Sequence, residues 1–180
     1  VSPLIHREAH NQGIDIPRSP NQQSQGSIRM QTFQGRTAFL TGAASGIGRC
    51  LAIALAQAGC NLCLVDVNAE GLKNLAAELE PSGVRTMLFP CDLTDCKAVS
   101  ATIASALHQS GEIDLLINNA GVAYYGATDQ MTQAQWDWLM RINLLAPIQI
   151  THELLPALLL RPDAHIVNMC SISGLVAGGR

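Results

Sequence analysis

Lysine is scarce in this chain. Only Lys73 and Lys97 occur in 180 residues, and the formal net charge is −3. A nucleic-acid surface needs clustered Lys and Arg, and a polybasic membrane anchor needs the same. The charge balance argues against both partners. No run of ~20 consecutive apolar residues occurs, so no segment is expected to span a membrane. The amino terminus also lacks the basic-then-apolar layout of a secretory signal. Cys50, Cys60, Cys63, Cys91, Cys96 and Cys170 are scattered through apolar segments. That is not the dense spacing of a small secreted disulfide framework, so the thiols read as reduced and the protein as cytoplasmic.

What is present is a core-forming composition. Hydrophobic residues make up 48% of the chain and charged residues 14%. A domain of this length can hide ~70% of its unfolded surface. The stretch from Val1 to Phe33 differs from the rest. Half of residues 1–30 are Gln, Asn, Ser, Pro or Gly, with no apolar periodicity. Such a segment cannot offset its ordering entropy and reads as a disordered tail over 1–33. Met30 stands just before the first expected element and is a candidate natural start. Residues 34–180 form the folded domain.

From residue 36 the apolar pattern alternates between two periods. Thr37 to Thr41, Leu62 to Val65, Val84 to Phe89, Ile113 to Ile117 and Ile166 to Met169 read as five strands. Helical stripes lie between them: Ile47, Leu51, Ala54, Leu55 and Ala58; then Leu72, Leu75, Ala76 and Leu79; then Val99, Ile103, Ala106 and Leu107. Thr94 or Asp95 caps the third of these helices. A long helical stretch covers about 133–160, with bends expected at Pro147 and Pro156, and at least one of Trp136 and Trp138, which fall on different sides of it, is expected in the core. Alternation of this kind predicts an α/β fold, a doubly wound parallel sheet of Rossmann type that stops after its fifth strand.

The first strand runs into Thr41-Gly42-Ala43-Ala44-Ser45-Gly46-Ile47-Gly48, and a helix follows at once. Glycines let a backbone turn sharply against a pyrophosphate, and the free N–H groups of a helix start meet its charge. The spacing is G-x-x-x-G-x-G rather than the usual G-x-G-x-x-G. The second strand ends at Asp66. Its separation from Gly48 is close to the ~20 residues expected of a carboxylate that accepts from a ribose 2′-OH. Such an acid would repel the 2′-phosphate of NADP. Position 45 is Ser rather than a base, so the cofactor reads as NAD. The plainer reading of Asp66 is a strand-end acid that caps the next turn.

Cys60-x-x-Cys63, with Cys91 and Cys96, suggests zinc or redox chemistry only weakly. Cys63 falls inside a strand and no His stands at finger spacing, so these thiols read as small buried hydrophobes. His108, His152 and His165 form no ligand set, and no metal is expected.

Five segments then occur in order: Thr41-Gly42-x-x-x-Gly46-Ile47-Gly48, Asp92-Leu93, Asn118-Asn119-Ala120-Gly121, Asn143, and Ile166-Val167-Asn168-Met169-Cys170-Ser171. Together they resemble the short-chain dehydrogenase/reductase family over about residues 34–180. The resemblance implies that Gly42, Ser45, Gly46, Ile47 and Gly48 cradle a dinucleotide and that Asp66 holds its adenosine ribose. It implies that Asp92 and Leu93 flank the adenine, and that Asn119, Ala120 and Gly121 line the cofactor cleft and brace the sheet. A strand-ending turn is the plain reading of that last segment. Asn143 falls on the apolar side of its helix, where a polar side chain must find partners. It is either a locally bonded residue at a helix irregularity or, as the resemblance implies, a catalytic Asn that helps hold a proton-relay water. Ser171 would bond the substrate's carbonyl or hydroxyl oxygen, stabilising charge that develops there.

The implied activity is hydride transfer between NAD(H) and a secondary alcohol or ketone. The family's acid/base is a Tyr-x-x-x-Lys pair that follows the serine, and at the family's spacing it falls just beyond Arg180. Tyr124 and Tyr125 are followed one helical turn on by Thr128 and Asp129, so neither supplies it. The chain therefore reads as a fragment, itself inactive. The alternatives are a non-catalytic dinucleotide-binding module and a truncated product without function. The resemblance also implies a homodimer or homotetramer for the full-length chain, assembled through the long helix that holds Asn143 and a later one. A fifth strand left unpaired at one edge predicts poor solubility or a molten state for the chain alone.

Overall fold

A computed structural model of the chain describes residues 32–171. The expected tail and the candidate start at Met30 lie outside those residues, apart from positions 32 and 33. Five parallel strands form one sheet: β1 (Thr37–Thr41), β2 (Asn61–Asp66), β3 (Thr86–Pro90), β4 (Leu115–Asn118) and β5 (His165–Asn168). Their spatial order is β3-β2-β1-β4-β5. Between them run α1 (Gly46–Gln57), α2 (Ala69–Leu79), α3 (Cys96–Ser110), α4 (Gln133–Met140) and α5 (Ala146–Leu159). The doubly wound parallel sheet read from the alternating periods is what forms.

Side-chain alternation along each strand makes two cores. Ala38 and Leu40, Leu62 and Leu64, and Leu115 and Ile117 face α1 and α2. Phe39, Cys63, Val65, Phe89 and Leu116 face α3 and α5. Strands buried on both faces read as continuous apolar runs, which is why β1, β2 and β4 were legible. Cys60 belongs to the first core and Cys63 to the second. The two thiols of the C-x-x-C segment therefore lie on opposite faces of the sheet and cannot share a ligand. Burial pushes the Cys60 thiol up to about 12, despite a backbone hydrogen bond from Ala38 that acts the other way. Burial likewise pushes Cys63 up to about 11. Cys91 is buried too, but Cys96, expected with them, is exposed because it opens α3 at the surface.

Several expectations shift. Asp95, not Thr94, caps α3, accepting from the N–H groups of Lys97 and Ala98 at 2.8 and 3.1 Å. The stretch 133–160 is one continuous run whose irregularity precedes Pro147: a π turn over Arg141–Leu145, closed by Ala146 N–H on the Arg141 carbonyl. Pro147 sits in the first turn of α5, where its missing N–H costs least. The run Gln133–Leu159 is long and apolar enough, by length and composition, to cross a membrane. Here its stripe of Ala146, Ile150, Leu154 and Leu158 is buried, and Gln149 and Glu153 bond Ser100 of α3. Trp136 and Trp138 are 42% and 40% exposed, so neither belongs to the core. α4 has no buried residue at all.

Candidate functional site

β2 and β3 extend from β1 on one side, and β4 and β5 on the other. The crossover direction reverses between β1 and β4, and ligands of such sheets bind in the crevice at the carboxyl ends of those strands. A cavity of about 600 Å³ opens there. Its walls bring together Gly42, Ser45, Gly46, Ile47 and Gly48 after β1, Asp66 at the end of β2, Asp92 and Leu93 after β3, and Asn119, Ala120 and Gly121 after β4. Segments distant in sequence, from four separate strand ends, meet at one cleft.

The turn after β1 is built from close approach. Gly42 has φ +68°, and a Cβ on it would stand 2.8 Å from the Ala120 Cα. A Cβ on Gly48 would collide with the Gly42 carbonyl oxygen. The Thr41 hydroxyl oxygen accepts from the Asn119 and Ala120 N–H groups at 3.0 and 3.1 Å. Asn119 returns the contact, donating from Nδ2 to the Thr41 and Gly42 carbonyls at 3.0 and 3.2 Å. Thr41 is thus a site-building residue that the sequence reading quoted without a role. Its signal was its place immediately before Gly42.

Helix α1 begins without the usual help. Its N-cap, Ser45, makes no side-chain capping bond, and no acid stands in the first turn. The first N–H groups of a helix have no partner within it, and they carry its positive end. The Asp66 carboxylate spans both readings made of it. One oxygen accepts from Ala44 N–H and the other from Asn68 N–H, each at 2.9 Å. It caps its turn and still faces the cleft, and each carboxylate oxygen keeps a second acceptor position. Asp92 Oδ1 accepts from both the N–H and the hydroxyl of Thr94 at 2.8 Å. Among the described residues, no Lys, Arg or His lines the cavity.

Val67, Cys91, Thr94, Val122, Trp138 and Ile142 complete the lining. Sequence reasoning gives none of them a place in the cleft, although Trp138 and Ile142 stand four apart on one helical run. A dinucleotide fits this donor set: a turn whose close approach only glycine allows at Gly42 and Gly48, a helix start with unspent N–H groups, and carboxylate acceptors that suit ribose hydroxyls.

Asn143 and Ser171 do not line the cavity. Asn143 lies in the π turn, where its amide closes on the backbone of Val122: Oδ1 accepts from the N–H and Nδ2 donates to the carbonyl, both at 2.8 Å. It is locally bonded at a helix irregularity and clamps the wall beside Gly121. It is also exposed rather than packed on an apolar side. Pro147 has no N–H, so the Asn143 carbonyl lacks its i+4 helical donor. Ser171 lies shortly beyond β5, at the same carboxyl edge of the sheet as the cleft. Among the described residues, no group of three His, Cys, Asp or Glu could hold a metal.

Comparison with known proteins agrees with this geometry. A "CLA biosynthesis dehydrogenase/reductase" of Lactiplantibacillus plantarum is 33% identical over 148 residues, which are 82% of this chain and 52% of that protein. A solved short chain dehydrogenase/reductase from Burkholderia phymatum, in complex with NAD, superposes with a TM-score of 0.78 at 32% identity, over 83% of this chain and 53% of that one. A metagenomic short-chain oxidoreductase in complex with NADP superposes at 0.75 with 33% identity, over 79% and 65%. The chain spans about half the length of the curated relatives it matches. The family model for short chain dehydrogenase matches residues 36–180, and with the sheet order, the glycine turn and the cleft it frames, this chain belongs to the short-chain dehydrogenase family of oxidoreductases.

Proposed function

We propose that this chain carries the dinucleotide site of an NAD-dependent dehydrogenase acting on a secondary alcohol or its ketone. The observation that carries the reading is the cleft at the reversal point. There the glycine turn, the uncapped start of α1 and the Asp66 carboxylate converge, with no cation among the described lining residues. When bound, the nicotinamide would accept or deliver the hydride. Gly42, Ser45, Gly46, Ile47 and Gly48 would seat the pyrophosphate on the first N–H groups of α1. Asp66 would accept from the adenosine ribose, and Asp92 and Leu93 would flank the adenine. Asn119, Ala120 and Gly121 would form the opposite wall. Ser171 would donate to the substrate oxygen. The Asn143 carbonyl, freed by Pro147, would be the acceptor that holds a relay water.

A 2′-phosphate would enter beside Asp66 with no positive side chain in the described lining to offset it, and this supports NAD over NADP. Titration of the chain with each cofactor, followed through Trp138 fluorescence, tests the reading. NAD is expected to bind about 10-fold or more tighter than NADP, as like charges in contact cost at least that much. Asp66→Ala should shrink the gap. Equal affinities would overturn the NAD assignment, and no binding of either would overturn the site. A non-catalytic binding module is the second reading, favoured by the Asn143 amide, which turns onto the Val122 backbone rather than into the cleft.

A further inference from the structure

One irregular turn of helix reaches both walls of the cleft. Within the π turn Arg141–Leu145, Asn143 clamps the Val122 backbone on the β4 side. Two positions earlier, Arg141 donates from Nε to the Thr94 carbonyl at 3.1 Å, on the β3 side. Residues two apart on a helical turn point to different sides, so the pair spreads across the cleft. A second guanidinium nitrogen of Arg141 lies against Cys96 Sγ at the start of α3. Arg141 also lines a second cavity, which shares Thr94 and Trp138 with the cleft.

Thr94 is thereby held from two directions. Its N–H and hydroxyl bond Asp92 within the loop, and its carbonyl bonds Arg141 from outside. Among the described residues, no other side chain from a distant element makes a hydrogen bond to Asp92, Leu93 or Thr94. We propose that Arg141 is a positioning residue for the adenine end of the cofactor: its bond to the Thr94 carbonyl fixes the loop from which Asp92 and Leu93 face the cleft. The role rests on the reading of the cleft as a dinucleotide site. It ties the adenine wall to the same turn that holds Val122, so both walls take their spacing from one element.

The test uses the full chain with ADP-ribose, the adenine half of the cofactor, and native-state amide hydrogen exchange. Arg141→Met is expected to weaken ADP-ribose binding about 3- to 10-fold, the range for losing one hydrogen bond. Exchange at Leu93, Thr94 and Asp95 should speed up while that at Val122 stays as in the wild type. Arg141→Lys, which keeps a donor on a long stem, should recover part of the affinity. If Arg141→Met does not fold, Arg141→Leu, which likewise has no donor, carries the same expectation. Unchanged affinity, no recovery by Lys, or equal acceleration at Val122 would each overturn the proposal, the last by showing a general packing role. Failure of the wild-type chain to bind ADP-ribose is a distinct result, which removes the dinucleotide reading and this role with it.

Discussion

Gly48 shows how little tolerance the site has at its tightest contact. A methyl group there would run into the Gly42 carbonyl, which belongs to the turn that Asn119 and Thr41 lock in place. Backbone cannot give way as a flexible side chain can. Gly48→Ala is therefore expected to cost about 1–3 kcal/mol of stability, in the range of overpacked sites, and, at the proposed site, to weaken binding of a nicotinamide dinucleotide at least about 10-fold by displacing the turn. Calorimetric titration together with thermal denaturation measures both, and wild-type affinity in the variant would show the turn to be slacker than described. Gly46 is a different case: a Cβ has open space, but φ +51° is left-handed, so its cost is conformational. The glycines were visible as a motif, but which one answers to crowding and which to backbone angle was not. Asp66 is similar. Its position at a strand end was readable, but its two bonds to Ala44 and Asn68 depend on a turn and a strand that meet only in the fold.

Among the elements, the amino end of β4 holds the sheet together away from the cleft. Asp114 is buried there and accepts from Thr37 N–H, Arg36 and Arg161 at 2.9–3.0 Å. These bonds join β1, β4 and the chain just past α5. Burial alone would raise its carboxyl, but the Thr37 N–H and the two guanidinium groups outweigh it and hold the group below its ordinary value of 3.8. In acid the unfolded chain therefore takes up this proton first, so stability present above pH 3.8 drains away as pH falls toward the lower folded value. Asp114→Asn is expected to cost about 3 kcal/mol at neutral pH, because two cations lose a buried partner, and to flatten the acid limb below about pH 4. Urea unfolding of both proteins from neutral pH into acid checks this, and parallel curves would sink it. The sequence reading missed the cluster, because Arg36, Asp114 and Arg161 share no local pattern. The π turn was legible only in part, as one of two readings of Asn143, a locally bonded residue at a helix irregularity, and as a bend at Pro147. Pro147 announced an irregularity, but a proline marks only the bond that it cannot make, and the chain resolved the strain upstream at Arg141–Leu145.

At the scale of the whole molecule, the described residues leave large apolar side chains exposed on α5 and at one edge of the sheet. Ile148, Leu155 and Leu159 face outward from α5, and Ile166, Val167 and Met169 are 39–43% exposed along β5, which pairs with β4 alone among the described strands. An apolar strand at a sheet edge is a template for further pairing. The chain by itself is expected to self-associate and to bind a hydrophobic dye at neutral pH. Sedimentation and dye fluorescence test this, and a monodisperse sample with one cooperative thermal transition would refute it.

Apolar periodicity was enough to read the layered α/β fold, because it depends on residues close together in the chain, and the resemblance carried by five motifs in order was enough to point to the family. The meeting of those segments was not local. Strand order brings Gly42 beside Ala120, the reversal between β1 and β4 opens the cleft, and a π turn carries Arg141 and Asn143 to its two walls. Contacts between such distant positions follow from packing two cores against one sheet, and no short stretch of sequence encodes them.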